Sequence, residues 1–129
     1  MANVAMISIV DDDRSVRIAT RDLLKSLGYA TATFASAEEF LQSGQTRETA
    51  CLITDMQMPG MSGLDLQQHL VASGDTTPVI FVTAFPEESL RKRALSAGAF
   101  DVLIKPFTPE SLLACLKRAL AHRRSGNPS

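Results

Sequence analysis

The chain has 129 residues, 45% of them hydrophobic and 21% charged, which suits one domain around one core. Its formal net charge of −1 gives no electrostatic reason to expect direct nucleic-acid binding, and no apolar run reaches the length of a membrane span. Cys51 and Cys115 lie far apart among apolar neighbours and form no CxxC, which sets aside zinc and thioredoxin-like chemistry and predicts two reduced, buried thiols.

The amino terminus, MANVAMISIV, lacks a basic leader and runs straight into a strand-like segment, so no signal peptide is read and a cytoplasmic protein is expected. Residues 4–10 predict a buried strand. Residues 14–27 predict a helix with Val16, Thr20, Leu23 and Leu27 on one stripe, stopped by Gly28. A weaker strand is expected over 30–34. Ser36 and Glu39 have capping-box spacing for a short helix to about residue 43. Residues 50–54 predict the third strand. A Met58-Pro59-Gly60 loop follows, with Ser62 able to cap a helix over 63–73. Residues 79–82 form the most hydrophobic strand. Pro86 suits the first turn of a helix to about residue 97, with Gly98 as its stop. Residues 101–104 predict the fifth strand. Thr108, Pro109 and Glu110 open a last helix with Leu112, Leu113, Leu116 and Leu120 facing inward.

Strands alternating with helices in this way predict an α/β fold, a parallel sheet covered on both faces. Five such units in this length fit a flavodoxin-like doubly wound (βα)5 domain with strand order 2-1-3-4-5. The domain is expected over residues 1–122. Residues 123–129, with Gly126 and Pro128, read as a frayed tail or the start of a linker.

Ligands in such sheets sit beyond the carboxyl ends of the strands. Asp11 and Asp12 follow MISIV, Asp55 follows CLIT, Thr83 follows PVIFV and Lys105 follows DVLI, so all five should converge at that end. Three carboxylates brought close together need a counter-charge, and a hard divalent cation with oxygen ligands provides one. The competing reading is that these acids cap the next helices, which is the whole role expected of Asp13. Asp55 is placed to attack phosphorus and form an acyl phosphate. Thr83 can donate its hydroxyl to a phosphoryl oxygen, with small Ala84 leaving access open. Lys105 can pair with Asp55 or the phosphoryl group, and its bond to Pro106 is one that can be cis.

This spacing, with the local patterns IVDDD, TDMQMPGMSGLD, VTA, AGAFD and IKPF, resembles the receiver domain of bacterial two-component response regulators. The resemblance covers roughly residues 3–121 and is strongest to receivers attached to helix-turn-helix DNA-binding output domains. It implies that Asp55 is the phosphoacceptor for a sensor histidine kinase. It implies Mg²⁺, with Mn²⁺ able to substitute, held by the side chains of Asp12 and Asp55 and the backbone carbonyl of Gln57, with Asp11 acting mainly through a metal-bound water. Thr83 and Lys105 would contact phosphoryl oxygens after transfer. The face formed by the fourth helix, fifth strand and fifth helix would then act on an output domain or effector, or form a phosphorylation-dependent homodimer. Such a protein assists its own phosphotransfer and dephosphorylation but is no conventional turnover enzyme.

One departure concerns the relay. The family usually carries Tyr or Phe where Val102 stands, so the inward ring movement that accompanies Thr83 has no counterpart here. Phe85, with Gln57, is expected to influence phosphoryl lifetime. Arg91, Lys92 and Arg93, and Lys117, Arg118, Arg123 and Arg124, are basic runs read first as solvated surface and second as a partner-facing patch. Three rivals remain. An aspartyl phosphatase would have an acid where Gln57 stands and a cap domain. A flavin carrier would need a phosphate loop where Asp11, Asp12 and Asp13 would repel it. A phosphorylation-independent binding module would have little use for the full acidic, hydroxyl and lysine set.

Overall fold

Apolar runs bounded by turn residues become strands, and the stretches between them become helices that cover the sheet. The structure is a computed structural model that describes residues 5–44, 46–84 and 87–125, the side chains of 122–125 excepted. The strands are β1 (Met6–Val10), β2 (Ala30–Phe34), β3 (Thr49–Asp55), β4 (Val79–Thr83) and β5 (Asp101–Ile104). The helices are α1 (Arg14–Ser26), α2 (Ala37–Gln42), α3 (Gly63–Ala72), α4 (Glu88–Ser96) and α5 (Pro109–Ser125). All pairings are parallel, in the order β2-β1-β3-β4-β5 that the alternation predicts.

Alternate strand residues feed two cores, as the two-residue period of a strand requires. Val10, Leu52, Phe81 and Val102 pack with Phe40 of α2, Leu66 of α3 and Ala94 of α4. Ile9, Ile53, Ile80 and Val82 pack on the other face with Leu24 of α1 and with Leu112 and Leu116 of α5. Both cysteines are free and buried. Burial and the nearby Asp101 carboxylate push the Cys115 thiol up to about 12, so it stays protonated.

Local chemistry sets the helix starts. Asp13 accepts from the Ser15 and Val16 amides and caps α1, as expected. Thr108 Oγ1 accepts from the Ser111 amide at 3.0 Å at the start of α5. Ser36 caps α2, but Glu39 reaches one residue further back than expected, to the Ala35 amide at 3.3 Å. The reciprocal capping box stands instead at α3, where Ser62 and Asp65 satisfy each other's amides at 3.1 and 3.2 Å.

Some expectations shift by a residue or a face. β3 includes Thr49 and Asp55, and β4 includes Thr83, because the ladder continues past the apolar runs. On α1 the buried residues are Thr20, as expected, at 6% exposure and Leu24 at 0%, while Leu27, expected in the stripe, is 44% exposed. The helix ends at Ser26, so its period stops before Leu27. Leu24→Ala should therefore cost about 3 kcal/mol in urea unfolding and Leu27→Ala less than about 0.5. Equal losses would refute this placement. On α5, Cys115 and Ala119 join Leu112 and Leu116 at full burial, while Leu113 and Leu120 are half-buried. α5 runs to Ser125, so the first three residues of the expected tail are helical. Residues 126–129, Val4 of the expected first strand, and Phe85 and Pro86 lie outside the described residues.

Candidate functional site

The register of the sheet assembles the site. Val10 of β1 pairs with Thr54 of β3, so Asp11 and Asp55 emerge level with each other. Asp55 pairs with Val82, which puts Thr83 one step beyond. Thr83 pairs with Ile104, so Lys105 follows at the next position, its amide donating to the Thr83 carbonyl at 2.7 Å. The five residues converge although up to 94 positions separate them along the chain.

Asp11, Asp12 and Asp55 each offer a carboxylate oxygen within 4.8 Å of the other two. The Lys105 ammonium lies 3.2 Å from Asp11 Oδ2 and 3.0 Å from Asp55 Oδ2. The pairing with Asp55 was anticipated from sequence; the one with Asp11 was not. The Lys105–Pro106 bond is cis. Asp11 is buried at 2% exposure, Asp55 is half-buried and Asp12 is exposed. Asp11 Oδ1 accepts from the Asp13 amide at 2.8 Å, and Asp55 Oδ1 accepts from the Gln57 amide at 3.1 Å. The second contact brings the Gln57 peptide into the cluster. Thr83 is buried, and Ala84 beside it is exposed, which leaves the mouth open.

Electrostatics follow from this crowding. Burial raises the Asp11 carboxyl above its ordinary value, and the Asp55 charge adds to it, against the pull of the Asp13 amide and Lys105. Burial by itself would lower the Lys105 ammonium, but Asp55 and Asp11 together outweigh it and raise it above 10.5. A lysine raised in the folded state stabilises the fold at neutral pH, and that contribution is lost as pH climbs through the raised value.

Two further residues support the cluster and carry no motif signal. Arg17 Nη1 donates to the Asp11 carbonyl at 2.6 Å from the first turns of α1. Glu38 Oε2 accepts from the Met61 amide at 3.1 Å and ties α2 to the loop after Asp55. Only the folded chain shows the Glu38 contact, because its partners are 23 positions apart.

An all-oxygen donor set of three carboxylates at this spacing fits a hard divalent ion such as Mg²⁺. In metal-free buffer the positive charge facing Asp11 and Asp55 comes from Lys105. Lys105→Ala should then cost about 2 kcal/mol, a value discounted because the lysine is partly solvated. Millimolar Mg²⁺ should recover most of that loss, as read by urea unfolding followed by circular dichroism. No stabilisation of either chain by Mg²⁺ would show that the ion does not bind among these carboxylates.

A five-stranded, doubly wound sheet with an acidic cluster and a lysine at its carboxyl end defines a class of small α/β signalling domains. Residues 7–117 match the family model described as the response regulator receiver domain. The chain belongs to this family. It is 40% identical over 116 residues to the response regulator protein TmoT of Ectopseudomonas mendocina, covering 90% of this chain and 53% of that one. It is 37% identical over 114 residues to the transcriptional regulatory protein FixJ of Azorhizobium caulinodans, covering 88% of this chain and 54% of the relative. A crystal structure of a receiver domain protein from Clostridium thermocellum superimposes with a TM-score of 0.90 at 26% identity, covering 96% of this chain and all of that one. The chain thus spans about half the length of the curated relatives it matches.

Proposed function

We propose that this chain is a phosphorylation-dependent switch that accepts a phosphoryl group on Asp55 from a sensor histidine kinase. The observation that carries the reading is the Asp11, Asp12 and Asp55 cluster within 4.8 Å, with Lys105 bonded to Asp55. A carboxylate oxygen of Asp55 attacks phosphorus, the phosphorus–nitrogen bond of the kinase phosphohistidine breaks, and the imidazole nitrogen takes up a proton. Asp11, Asp12, Asp55 and the Gln57 backbone carbonyl are the residues that would hold Mg²⁺. The ion, when bound, screens the repulsion between Asp55 and the anionic donor. Lys105 then moves its hydrogen bond from the Asp55 carboxylate to a phosphoryl oxygen, and the Thr83 hydroxyl takes a second one.

The product is sensed next to α4. A cavity of about 30 Å³ lies among Met56, Thr83, Leu90 and Val102, with no aromatic ring among its described lining residues, so Thr83 has room to shift beside Leu90. The α4-β5-α5 face carries the change to an output domain or effector, or to a second copy in a phosphorylation-dependent dimer. Transcriptional output is supported by relatives such as the FixJ regulator, whose remaining half lies outside the match. The receiver unit is residues 1–122, with 123–129 leading toward any further domain. The basic side chains described on α4 and α5 are exposed, and Arg91 and Arg118 pair with Glu88 and Asp101 on this same surface. No described helix is long and apolar enough to cross a membrane, and a cytoplasmic location is part of this reading.

Intact mass after incubation with acetyl phosphate or phosphoramidate tests the proposal. A single phosphoryl adduct that requires Mg²⁺ is expected. No adduct with either donor would sink the reading, and continuous phosphate release at enzyme-like rates would favour a phosphatase.

A further inference from the structure

The loop between β3 and α3 carries the Gln57 peptide beside the acidic cluster. It is tied at both ends. Asp55 Oδ1 accepts from the Gln57 amide at 3.1 Å, and the capping box of Ser62 and Asp65 fixes the start of α3. Between these ties Gln57, Pro59 and Gly60 are exposed. A third tie comes from a different element. Glu38 Oε2 accepts from the Met61 amide at 3.1 Å and stands 2.9 Å from where a Cβ at Gly60 would lie. Gly60 has φ 76°, so the turn favours glycine, and a side chain there would push the Glu38 carboxylate off the loop.

The helix that carries Glu38 is firmly seated. Ala37 and Phe40 of α2 are 0% and 1% exposed and share a core with Met56 and Met58 of the loop. Glu38 itself is exposed, and an exposed carboxylate bonded to one amide adds little to global stability. Its effect is local, on where the loop backbone lies. We propose that Glu38 is a positioning residue for the metal: by holding the backbone at Gly60 and Met61, it keeps the Gln57 carbonyl in the arrangement that Mg²⁺ enters. This inference rests on the phosphoryl-switch reading.

The need for such a tie follows from the ligands. The Asp11 and Asp55 side chains are held by Lys105 and by backbone amides. A backbone carbonyl is placed only by the peptides around it. Mg²⁺ demands near-octahedral geometry, so a misplaced carbonyl costs affinity. Glu38 also bears a negative charge, which would attract a cation without positioning anything. Glu39 separates the two effects. It is the next residue and equally exposed, but its carboxylate bonds the Ala35 amide and not the loop.

The test is a Mg²⁺ titration of the isotope-labelled chain without phosphoryl donor, followed by amide NMR shifts. Glu38→Ala should need at least about fivefold more Mg²⁺ for half-saturation, somewhat less than the loss of a partner that touches the ligand itself. Glu38→Gln keeps an oxygen acceptor for the Met61 amide and should stay within about twofold of the wild type. Glu39→Ala should match the wild type. The Mg²⁺ dependence of phosphoryl uptake from phosphoramidate should shift by the same factor in Glu38→Ala, with the rate at saturating ion little changed. Wild-type Mg²⁺ affinity in Glu38→Ala would overturn the assignment and leave the switch reading intact. Equal losses in Glu38→Gln and Glu38→Ala, or a like loss in Glu39→Ala, would assign the effect to charge and overturn it as well. A wild-type chain that binds Mg²⁺ but takes up no phosphoryl group would sink the switch alone, because the ion titration still decides the role of Glu38. A wild-type chain with no Mg²⁺-dependent shift would overturn both.

Discussion

Asp55→Asn will gain no phosphoryl mass under conditions that load the wild-type chain from phosphoramidate and Mg²⁺. The choice among three carboxylates rests on geometry. Asp11 is 2% exposed, with Oδ1 engaged by the Asp13 amide and Oδ2 by Lys105, so a donor has no open approach to it. Asp12 is exposed, but Lys105 hydrogen-bonds Asp11 and Asp55. Asp55 closes β3, stands level with Asp11 and lies beside the residue that would stabilise its product. Asparagine keeps the shape and the acceptor oxygen but removes the anionic nucleophile. Asp12→Asn keeps Asp55 and removes one of the carboxylates that would hold Mg²⁺, so it should need at least about tenfold more Mg²⁺ for the same uptake. A phosphoryl adduct in Asp55→Asn that maps to Asp11 or Asp12 by peptide mass analysis would move the phosphoacceptor role elsewhere.

Gly63→Ala should be among the most destabilising single substitutions in the chain, at more than about 4 kcal/mol. Gly63 opens α3 directly behind Asp55, its amide donating to the Met56 carbonyl at 3.0 Å. A Cβ there would overlap the Asp55 carbonyl oxygen and stand 2.9 Å from Phe81 Cε1 and 3.1 Å from Met56 Cα. Two of these neighbours are backbone. Asp55 is held in the ladder with Val82 and cannot give way without loosening the site. Gly74→Ala is the control: its φ is 77° but no atom lies within 4 Å of the added carbon, so it should cost only about 1–2 kcal/mol. Urea unfolding of both variants decides the matter, and comparable costs at the two glycines would refute the close approach of α3 to β3.

Much of the candidate site is legible in the sequence, and the reason is local. Val, Ile and Leu runs ending in Asp, Thr or Lys mark strand ends, and in a parallel sheet all carboxyl ends share one edge. Where reading failed, the deciding contact was non-local or lay at an element boundary. Leu27 fits the period of α1 but falls after the helix has ended. Glu39 has capping-box spacing, yet its carboxylate finds Ala35. Nothing in the spacing around Gln67 distinguishes it from a solvated helix glutamine, because its burial depends on the turn that carries Gly98.

The sequence by itself determined the order of elements, the sheet topology and which residues stand at the strand ends, since period and turn chemistry act over a few residues. The tertiary structure decided the rest. Register joined Lys105 to Asp11 as well as Asp55, across 94 and 50 positions of chain. Packing against β3 reserved one helical position for glycine, and enclosure by α3 and the α4–β5 turn left the Gln67 amide without a hydrogen-bond partner among the described residues. Those outcomes depend on distances between segments remote in sequence, which no local pattern encodes.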